Sequence, residues 1–168
     1  EAPRDVVVLG AGSAAEALAG ALAPLRPKIV VIERSRVGGE CPFLACIPSK
    51  SMLHDGAACL TWDEAVQHRD EIVRGLDDTG HAQNLEDDGA ELVRGTGRLL
   101  DEHTVRVGDR TIRAEHVVLA TGAEAVIPNV RGLDELGDLR WTSADALTAV
   151  ARPRRLVILG GGVIGMEL

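Results

Sequence analysis

The sequence has few cysteines, no long apolar run and a shortage of basic residues, and each shortage excludes a class of protein. Three cysteines in 168 residues are too few for a disulfide-stapled secreted scaffold, so pairing among them indicates redox or metal chemistry in a reducing compartment. Uncharged apolar stretches such as 6–15 are shorter than a membrane-spanning helix of about 20 residues. The first residues carry no export signal. We therefore expect a cytoplasmic protein without a membrane partner.

The shortage of basic residues leaves a net charge of −8, from 18 Lys and Arg against 26 Asp and Glu. Such a field repels nucleic acid, so we expect no nucleic-acid partner. The length suits one domain of roughly 100–200 residues, and a hydrophobic content of 45% is sufficient for a packed core. Because the chain starts at Glu1 and stops a few residues into a new helical pattern, we expect it to be a piece of a longer protein.

The first pattern that the sequence does contain is strand, glycine turn, helix and strand. Residues 5–10 form a short β-branched run, residues 13–25 have Ala and Leu at helical density, and residues 28–33 form a second apolar run. The two runs are apolar on both faces, as strands inside a parallel sheet are. Residues 5–33 therefore predict a βαβ unit.

The rest of the chain predicts a mixed α/β fold with a small antiparallel meander. Further predicted elements are helices at about 49–60 and 62–76, antiparallel strands between 90 and 112, a buried strand at 116–121, a helix at 142–150 with Ser143 as a possible N-cap, and a strand at 156–159. Residues 156–168 (LVILGGGVIGMEL) align position by position with residues 6–18 (VVVLGAGSAAEAL). A second βα unit therefore begins where the chain ends.

Spaced glycines follow the first strand of each repeat. Gly10 permits a tight turn, Gly12 lets the backbone approach a pyrophosphate, and Ala15 keeps the helix close to the strand. Glu33 stands 21 residues after Gly12, where an acid accepts hydrogen bonds from an adenosine ribose. Glycine turns also occur in α/β proteins without nucleotides, but the acid at this distance favours dinucleotide binding. The second repeat carries all three glycines, Gly160, Gly162 and Gly165.

Two cysteines, Cys41 and Cys46, follow the βαβ unit. On a regular helix residues five apart are separated by about 7.5 Å, beyond the limit of roughly 7 Å for a disulfide. A bond between them needs an unwound turn, which Pro42 and Pro48 favour. So small a loop would gain only about 2 kcal/mol of stability. Reversible thiol–disulfide exchange is therefore a better reason for the pair than stapling.

Other interpretations of this segment remain open. The cysteines could be small buried hydrophobic residues, or Cys41, Cys46, His54 and Cys59 could be soft ligands of a metal ion. Lys50 is one of only two lysines among 18 basic residues. A compact ammonium at this position suits a place near an electron-rich ring, although a surface lysine with a buried stem is the simpler alternative.

With fingerprint, acid and cysteine pair in register, the chain resembles the flavoprotein (pyridine nucleotide) disulfide oxidoreductases, which include dihydrolipoamide dehydrogenase, glutathione reductase and mercuric reductase. The resemblance covers 5–50, 117–128 and 156–168. It implies a Rossmann-like FAD-binding domain over 1–150, with a parallel sheet and a small antiparallel meander. It also implies that 151–168 is the first strand and turn of a Rossmann-like NAD(P)H-binding domain.

The resemblance also implies roles for individual residues. Cys46 would face the flavin and form the charge-transfer thiolate, Cys41 would exchange with substrate, and Lys50 would lie near the flavin N5. FAD would contact Gly10, Gly12 and Ala15 at its pyrophosphate, Glu33 at its ribose, Gly97 at its adenine, Gly39 and Glu40 beside the flavin, and Ala120, Thr121 and Gly122 where the chain leaves the domain. The NAD(P)H domain would open with Gly160, Gly162 and Gly165.

The activity implied is electron transfer between NAD(P)H, FAD and the Cys41–Cys46 disulfide, to or from a small disulfide, dithiol or metal ion, in a full-length homodimer. The family run GGTCLNVGCIPSK is here GGECPFLACIPSK, with Glu40 for Thr and Ala45 for Gly, so no one substrate is favoured. None of the five histidines matches the family's His-Glu pair, so we expect the 168 residues alone to be inactive. A non-catalytic nucleotide-binding or redox-sensing module is the alternative. The choice between NAD and NADP stays open.

Overall fold

The computed structural model describes residues 2–168, which include one six-stranded sheet. The strands are β1 (Arg4–Leu9), β2 (Ile29–Glu33), β3 (Ala90–Arg94), β4 (Gly97–Asp101), β5 (Thr104–Val107) and β6 (Arg110–Leu119). Their order is β3-β2-β1-β6-β5-β4. The pairs β1–β2, β2–β3 and β1–β6 are parallel, whereas β4–β5 and β5–β6 are antiparallel. The prediction of an α/β fold with an antiparallel meander is confirmed.

Strand β6 joins the parallel and antiparallel parts of the sheet. Its first residues, Arg110 to Arg113, pair with β5, and the following residues, Ala114 to Leu119, pair with β1. The predicted strand at 116–121 is therefore the second half of one longer strand. The prediction of antiparallel pairing was wrong at its first run, because β3 pairs parallel to β2.

The sheet has a packed core on each face because side chains alternate along its strands. Val6 and Val8 face one core, which also contains Ala15 of the first helix and Leu85 of a later one. Val7 faces the other core, together with Val105 and Val107 of β5 and Ile112 of β6. Burial on both faces explains why the strands β1 and β2 have no polar alternation.

The described residues also contain seven α-helices. They are α1 (Ser13–Leu22), α2 (Glu40–Leu44), α3 (Cys46–Ala57), α4 (Trp62–Ile72), α5 (Thr79–Asp87), α6 (Ser143–Thr148) and α7 (Val163–Glu167). The predicted helices near 49–60, 62–76 and 142–150 correspond to α3, α4 and α6. Helix α5 was not predicted.

Three details differ from the sequence predictions, each for a local reason. Residues 23–25 leave α1 as a 3₁₀ turn that contains Pro24. The N-cap of α6 is Thr142, whose hydroxyl accepts from the Asp145 N–H in a capping box, and not Ser143. Residues 156–159 form no strand, because no described segment pairs with them.

The chain folds as two compact units. One consists of residues 1–40 and 77–122 and holds the sheet, and the other consists of residues 41–76 and 123–168 and holds the cysteines.

In residues 2–168 no helix has both the length and the apolar content needed to span a bilayer.

Candidate functional site

The first glycine turn lies at the carboxyl end of β1. Gly10 has a φ of +98°, and its N–H donates to the Ile32 carbonyl at 2.8 Å. A Cβ on Gly10 would overlap the Ala120 carbonyl oxygen. Only glycine therefore suits this position, by conformation and by space. The contact also brings Ala120 and Thr121, two residues predicted to approach FAD, against the turn.

Glu33 ends β2 beside this turn and has both carboxylate oxygens engaged. Its Oε2 accepts from the Ala11 N–H at 2.7 Å, and its Oε1 accepts from the Ser35 N–H at 2.6 Å. The residue is only 8% exposed. Each oxygen retains acceptor capacity, so the acid is held in place for a further hydroxyl donor.

A loop over residues 35–39 forms the opposite wall of the turn. Gly38 and Gly39 both have positive φ, at +97° and +75°. The Gly38 N–H donates to the Ala11 carbonyl at 2.7 Å, and a Cβ on Gly39 would lie 3.0 Å from the Gly12 Cα. The two backbones thus run side by side with no side chain between them.

The first glycine turn, at Gly10 and Gly12, and the facing loop at Gly39 together form a cradle that fits a dinucleotide pyrophosphate. Gly12 is the N-cap of α1, and no side chain caps the N–H groups of that helix. Uncapped N–H groups at a helix N-terminus bind anions. Ala15 is fully buried, so α1 lies close to the sheet and its N-terminus faces the turn. A side chain on Gly12 or Gly39 would fill the space that the phosphates need.

Two further predicted FAD residues, Gly122 and Gly97, lie in the unit that holds the sheet. Gly122 has a φ of +71° and follows directly on Ala120 and Thr121. Gly97 begins β4, and a Cβ there would overlap the side chain of Leu9. A packing requirement is therefore enough to explain Gly97, and its contact with adenine stays a prediction.

The two cysteines lie on either side of a break between two helices. Cys41 is the second residue of α2 and Cys46 is the first residue of α3. Between the helices Ala45 has φ −139° and ψ −96°, outside the helical region. This is the unwound turn that a close approach of the two sulfurs requires. Both thiols are free and exposed.

The pKa of the Cys41 thiol is raised above its ordinary value. The main cause is a side-chain hydrogen bond with Cys46, followed by desolvation and by the charge on Cys46. A thiolate at Cys46 therefore opposes ionisation of Cys41. The structure holds the pair as an interacting dithiol.

Lys50 lies four residues after Cys46 on α3, so both are on the same face of that helix. Its ammonium donates to both carboxylate oxygens of Glu167, at 2.7 and 2.6 Å. Glu167 is the last residue of α7. No local signal pointed to the pair, because 117 positions separate the two residues.

The second glycine turn reproduces the first in its backbone. Gly160 has a φ of +121°, and a Cβ on Gly165 would overlap the Gly160 carbonyl oxygen. The N-cap Gly162 has φ −76° and ψ −178°, against −78° and −173° for Gly12. The turn of a second βα unit is therefore present without its strand.

A metal site formed by Cys41, Cys46, His54 and Cys59 is not assembled. No group of three or more His, Cys, Asp or Glu side chains within residues 2–168 is arranged to hold a metal ion. His54 instead contacts Asp55, at 3.2 Å between Nδ1 and Oδ1.

Comparison with known proteins gives close agreement over the chain. The profile of the pyridine nucleotide-disulphide oxidoreductases matches residues 4–168. Mercuric reductase of Bacillus cereus is 33% identical over an alignment 181 residues long, and this alignment covers 98% of this chain and 28% of that protein. Dihydrolipoyl dehydrogenase of Haloferax volcanii is 33% identical over 189 residues, which cover 98% of this chain and 39% of that protein.

A solved structure agrees as well. The Cu(II) complex of the HOCl-induced flavoprotein disulfide reductase RclA from Escherichia coli superimposes with a TM-score of 0.88 at 30% identity, covering 99% of this chain and 39% of that one. The chain thus spans about a third of the length of these relatives. Its α/β architecture is the Rossmann-like one of flavoprotein disulfide reductases, and members of the family use FAD and NAD(P)H. The chain belongs to the pyridine nucleotide-disulphide oxidoreductase family.

Proposed function

We propose that this chain forms the flavin-binding and disulfide-bearing part of an oxidoreductase. Electrons pass between NAD(P)H, FAD and the Cys41–Cys46 pair, to or from a small disulfide or dithiol, or a metal ion. The observation that carries the proposal is the placement of two exposed cysteines on either side of the helix break at Ala45, in a chain of this family.

The chain's own residues supply the binding groups. The cradle of Gly10, Gly12 and Gly39 would hold the FAD pyrophosphate, and Glu33 would accept from the adenosine ribose. The remaining proposed FAD contacts are Ala15, Glu40, Gly97, Ala120, Thr121 and Gly122, and the proposed NAD(P)H contacts are Gly160, Gly162 and Gly165. When bound, FAD supplies two-electron exchange between the nicotinamide and a disulfide.

The cysteines carry the second half of the reaction. Two electrons and two protons convert the Cys41–Cys46 disulfide into the dithiol. The Cys41 thiolate then attacks a substrate disulfide and releases one substrate thiol. The Cys46 thiolate displaces the second substrate thiol from Cys41, which restores the protein disulfide. Lys50 lies one turn along the same helix face as Cys46, and the family resemblance gives it a place near the flavin N5.

The test uses the natural polypeptide that contains this chain, reduced anaerobically with NADH or NADPH. We expect stoichiometric flavin and, after two electrons, a long-wavelength absorption band from a thiolate beside the flavin. Cys46→Ser should abolish this band, and Cys41→Ser should show it without reductant, because Cys46 then has no partner. Cys59→Ser is the matched control, since Cys59 is also exposed, and it should leave the band unchanged.

A band that survives in Cys46→Ser would contradict the role of Cys46. Bound nucleotide without NAD(P)H-driven thiol formation would favour the non-catalytic redox-sensing module instead. Turnover with lipoamide, with small disulfides and with Hg²⁺ would identify the acceptor. We further propose a cytoplasmic homodimer, for which light scattering of the natural polypeptide gives the oligomeric state.

A further inference from the structure

We propose that the N-terminal part of α5 is a clamp that sets the affinity for the dinucleotide. Its two members, Asp78 and His81, hold the 35–39 loop against the first glycine turn. The inference rests on the proposed function in one respect, namely that FAD occupies this turn. It adds two positioning residues that do not themselves contact the cofactor.

Asp78 is the first member of the clamp. It occupies the N-cap position of α5, where an aspartate usually accepts from the N–H groups of its own helix, yet it makes no such bond. Its Oδ2 instead accepts from the Val37 N–H at 2.7 Å and from Arg94 Nη1 at 2.7 Å. Arg94 and, to a smaller extent, the Val37 N–H keep the pKa of Asp78 below its ordinary value, so the acceptor stays ionised.

Arg94 extends this hold to a second point of the loop. The same Nη1 donates to the Ser35 carbonyl at 2.8 Å. The loop backbone is thus bound at 35 and 37 from one side, while the Val37 side chain is fully buried. These bonds come from α5 and β3, elements outside the glycine turn.

His81 is the second member. Its Cγ lies 2.9 Å from where a Cβ on Gly38 would be, so the imidazole packs directly on the loop backbone. Its Nδ1 lies 2.7 Å from Oε1 of Glu16, in the first turn of α1. The imidazole ring therefore packs on the 35–39 loop and is hydrogen-bonded to α1, the helix that follows the first glycine turn.

The 35–39 loop needs bonds from outside the cradle to stay ordered, because its own residues make few side-chain contacts. Gly38 and Gly39 have no side chains, and glycine loses the most conformational freedom on ordering. A loop that is ordered before binding avoids this cost at the moment of binding. Displacement of Gly38 would move its bond to the Ala11 carbonyl and open the wall opposite Gly12. Loosening the clamp should therefore weaken FAD binding more than it weakens the fold.

The experiment measures the FAD dissociation constant by flavin fluorescence on the flavin-free natural polypeptide. Asp78→Ala should raise it about tenfold or more, because a buried N–H and an arginine lose their charged acceptor. Asp78→Asn keeps a carbonyl oxygen for the Val37 N–H and should stay within about threefold of wild type. Gln83→Ala is the control on the same helix, since Gln83 is exposed and its side-chain amide donates to Asp87. Its FAD affinity should be unchanged.

Recovery by Asp78→Asn separates positioning from a general loss of stability, and the melting temperatures of the flavin-free variants are measured beside it. Equal affinity of Asp78→Ala and wild type would overturn the inference, as would equal weakening by Asn and Ala. If Asp78→Ala does not fold, His81→Ala carries the test, with weaker FAD binding expected and unchanged binding contradicting it. A wild type that takes up no FAD would contradict the proposed function itself, and this inference with it.

Discussion

The two glycine turns have the same backbone in very different surroundings. Gly12 and Gly162 cap their helices with φ and ψ that differ by only a few degrees. The residues before Gly10 form the centre of a six-stranded sheet, whereas the residues before Gly160 form no strand. The turn is therefore a local property of the glycines, while a strand exists only when another segment pairs with it.

The strongest test of this comparison adds one methyl group to each turn. Gly10→Ala combines a positive φ with a clash against the Ala120 carbonyl, so we expect a loss of about 2–5 kcal/mol in the free energy of unfolding. Gly160→Ala has the positive φ but nothing within 4 Å of the new Cβ, so it should lose only about 1–2 kcal/mol. Urea unfolding followed by circular dichroism gives both values, and equal losses would contradict the comparison.

A smaller effect is expected from the strand positions that the repeat makes equivalent, 7 and 157. Val7 is fully buried, whereas Val157 is 82% exposed. Val7→Ala should cost roughly 2 kcal/mol, from lost burial and the cavity left behind. Val157→Ala should stay within about 0.5 kcal/mol of wild type. A cost at Val157 equal to that at Val7 would mean that residues 156–159 are packed as a strand after all.

The smallest effect concerns two buried acids, one in each unit. Glu33 is bound by backbone N–H groups, whereas Asp55 on α3 is bound by side chains. A hydrogen bond with His68 on α4, at 2.8 Å, is the main cause that keeps the pKa of Asp55 below its usual value, with His54 adding to it against the opposing effect of burial.

A carboxyl group whose pKa is lowered by folding stabilises the fold above its unfolded pKa, about 3.9 for aspartate, and loses this contribution as pH falls through the folded pKa. The stability difference between wild type and Asp55→Asn should therefore shrink as the pH falls below about 4. Chemical denaturation across pH measures it. A difference that does not shrink in acid would contradict the assignment to Asp55.

Much of the fold was predictable because its signals are local. The β-branched runs of β1 and β2 and the glycines at 10 and 12 indicated a βαβ unit, and α3 and α4 lie where helices were predicted, near 49–60 and 62–76. Helix α5 was not predicted because its sequence, TGHAQNLED, has few apolar residues to set a helical period. The parallel pairing of β3 with β2 escaped because strand partners are not encoded within the strand itself.

In the candidate site, too, the features set by local sequence were predictable and the contacts between distant residues were not. The cysteine spacing required a break, and the structure has it at Ala45. Contacts between residues far apart in the chain were not predictable, since no pattern joins Lys50 to Glu167 or Asp78 to Val37. From the sequence alone, Asp78 would be interpreted as an ordinary N-cap residue. Only the direction of its side chain shows that it binds a loop 41 positions away.

The continuity of β6 limits how the length of this chain can change. One strand of 10 residues serves a parallel ladder and an antiparallel ladder. An insertion or deletion of a single residue inside it would turn every later side chain to the opposite face. Gly108, between β5 and β6, has open space around it and lies in a turn where extra residues are tolerated. Substitutions are therefore admissible along β6 where changes in residue number are not.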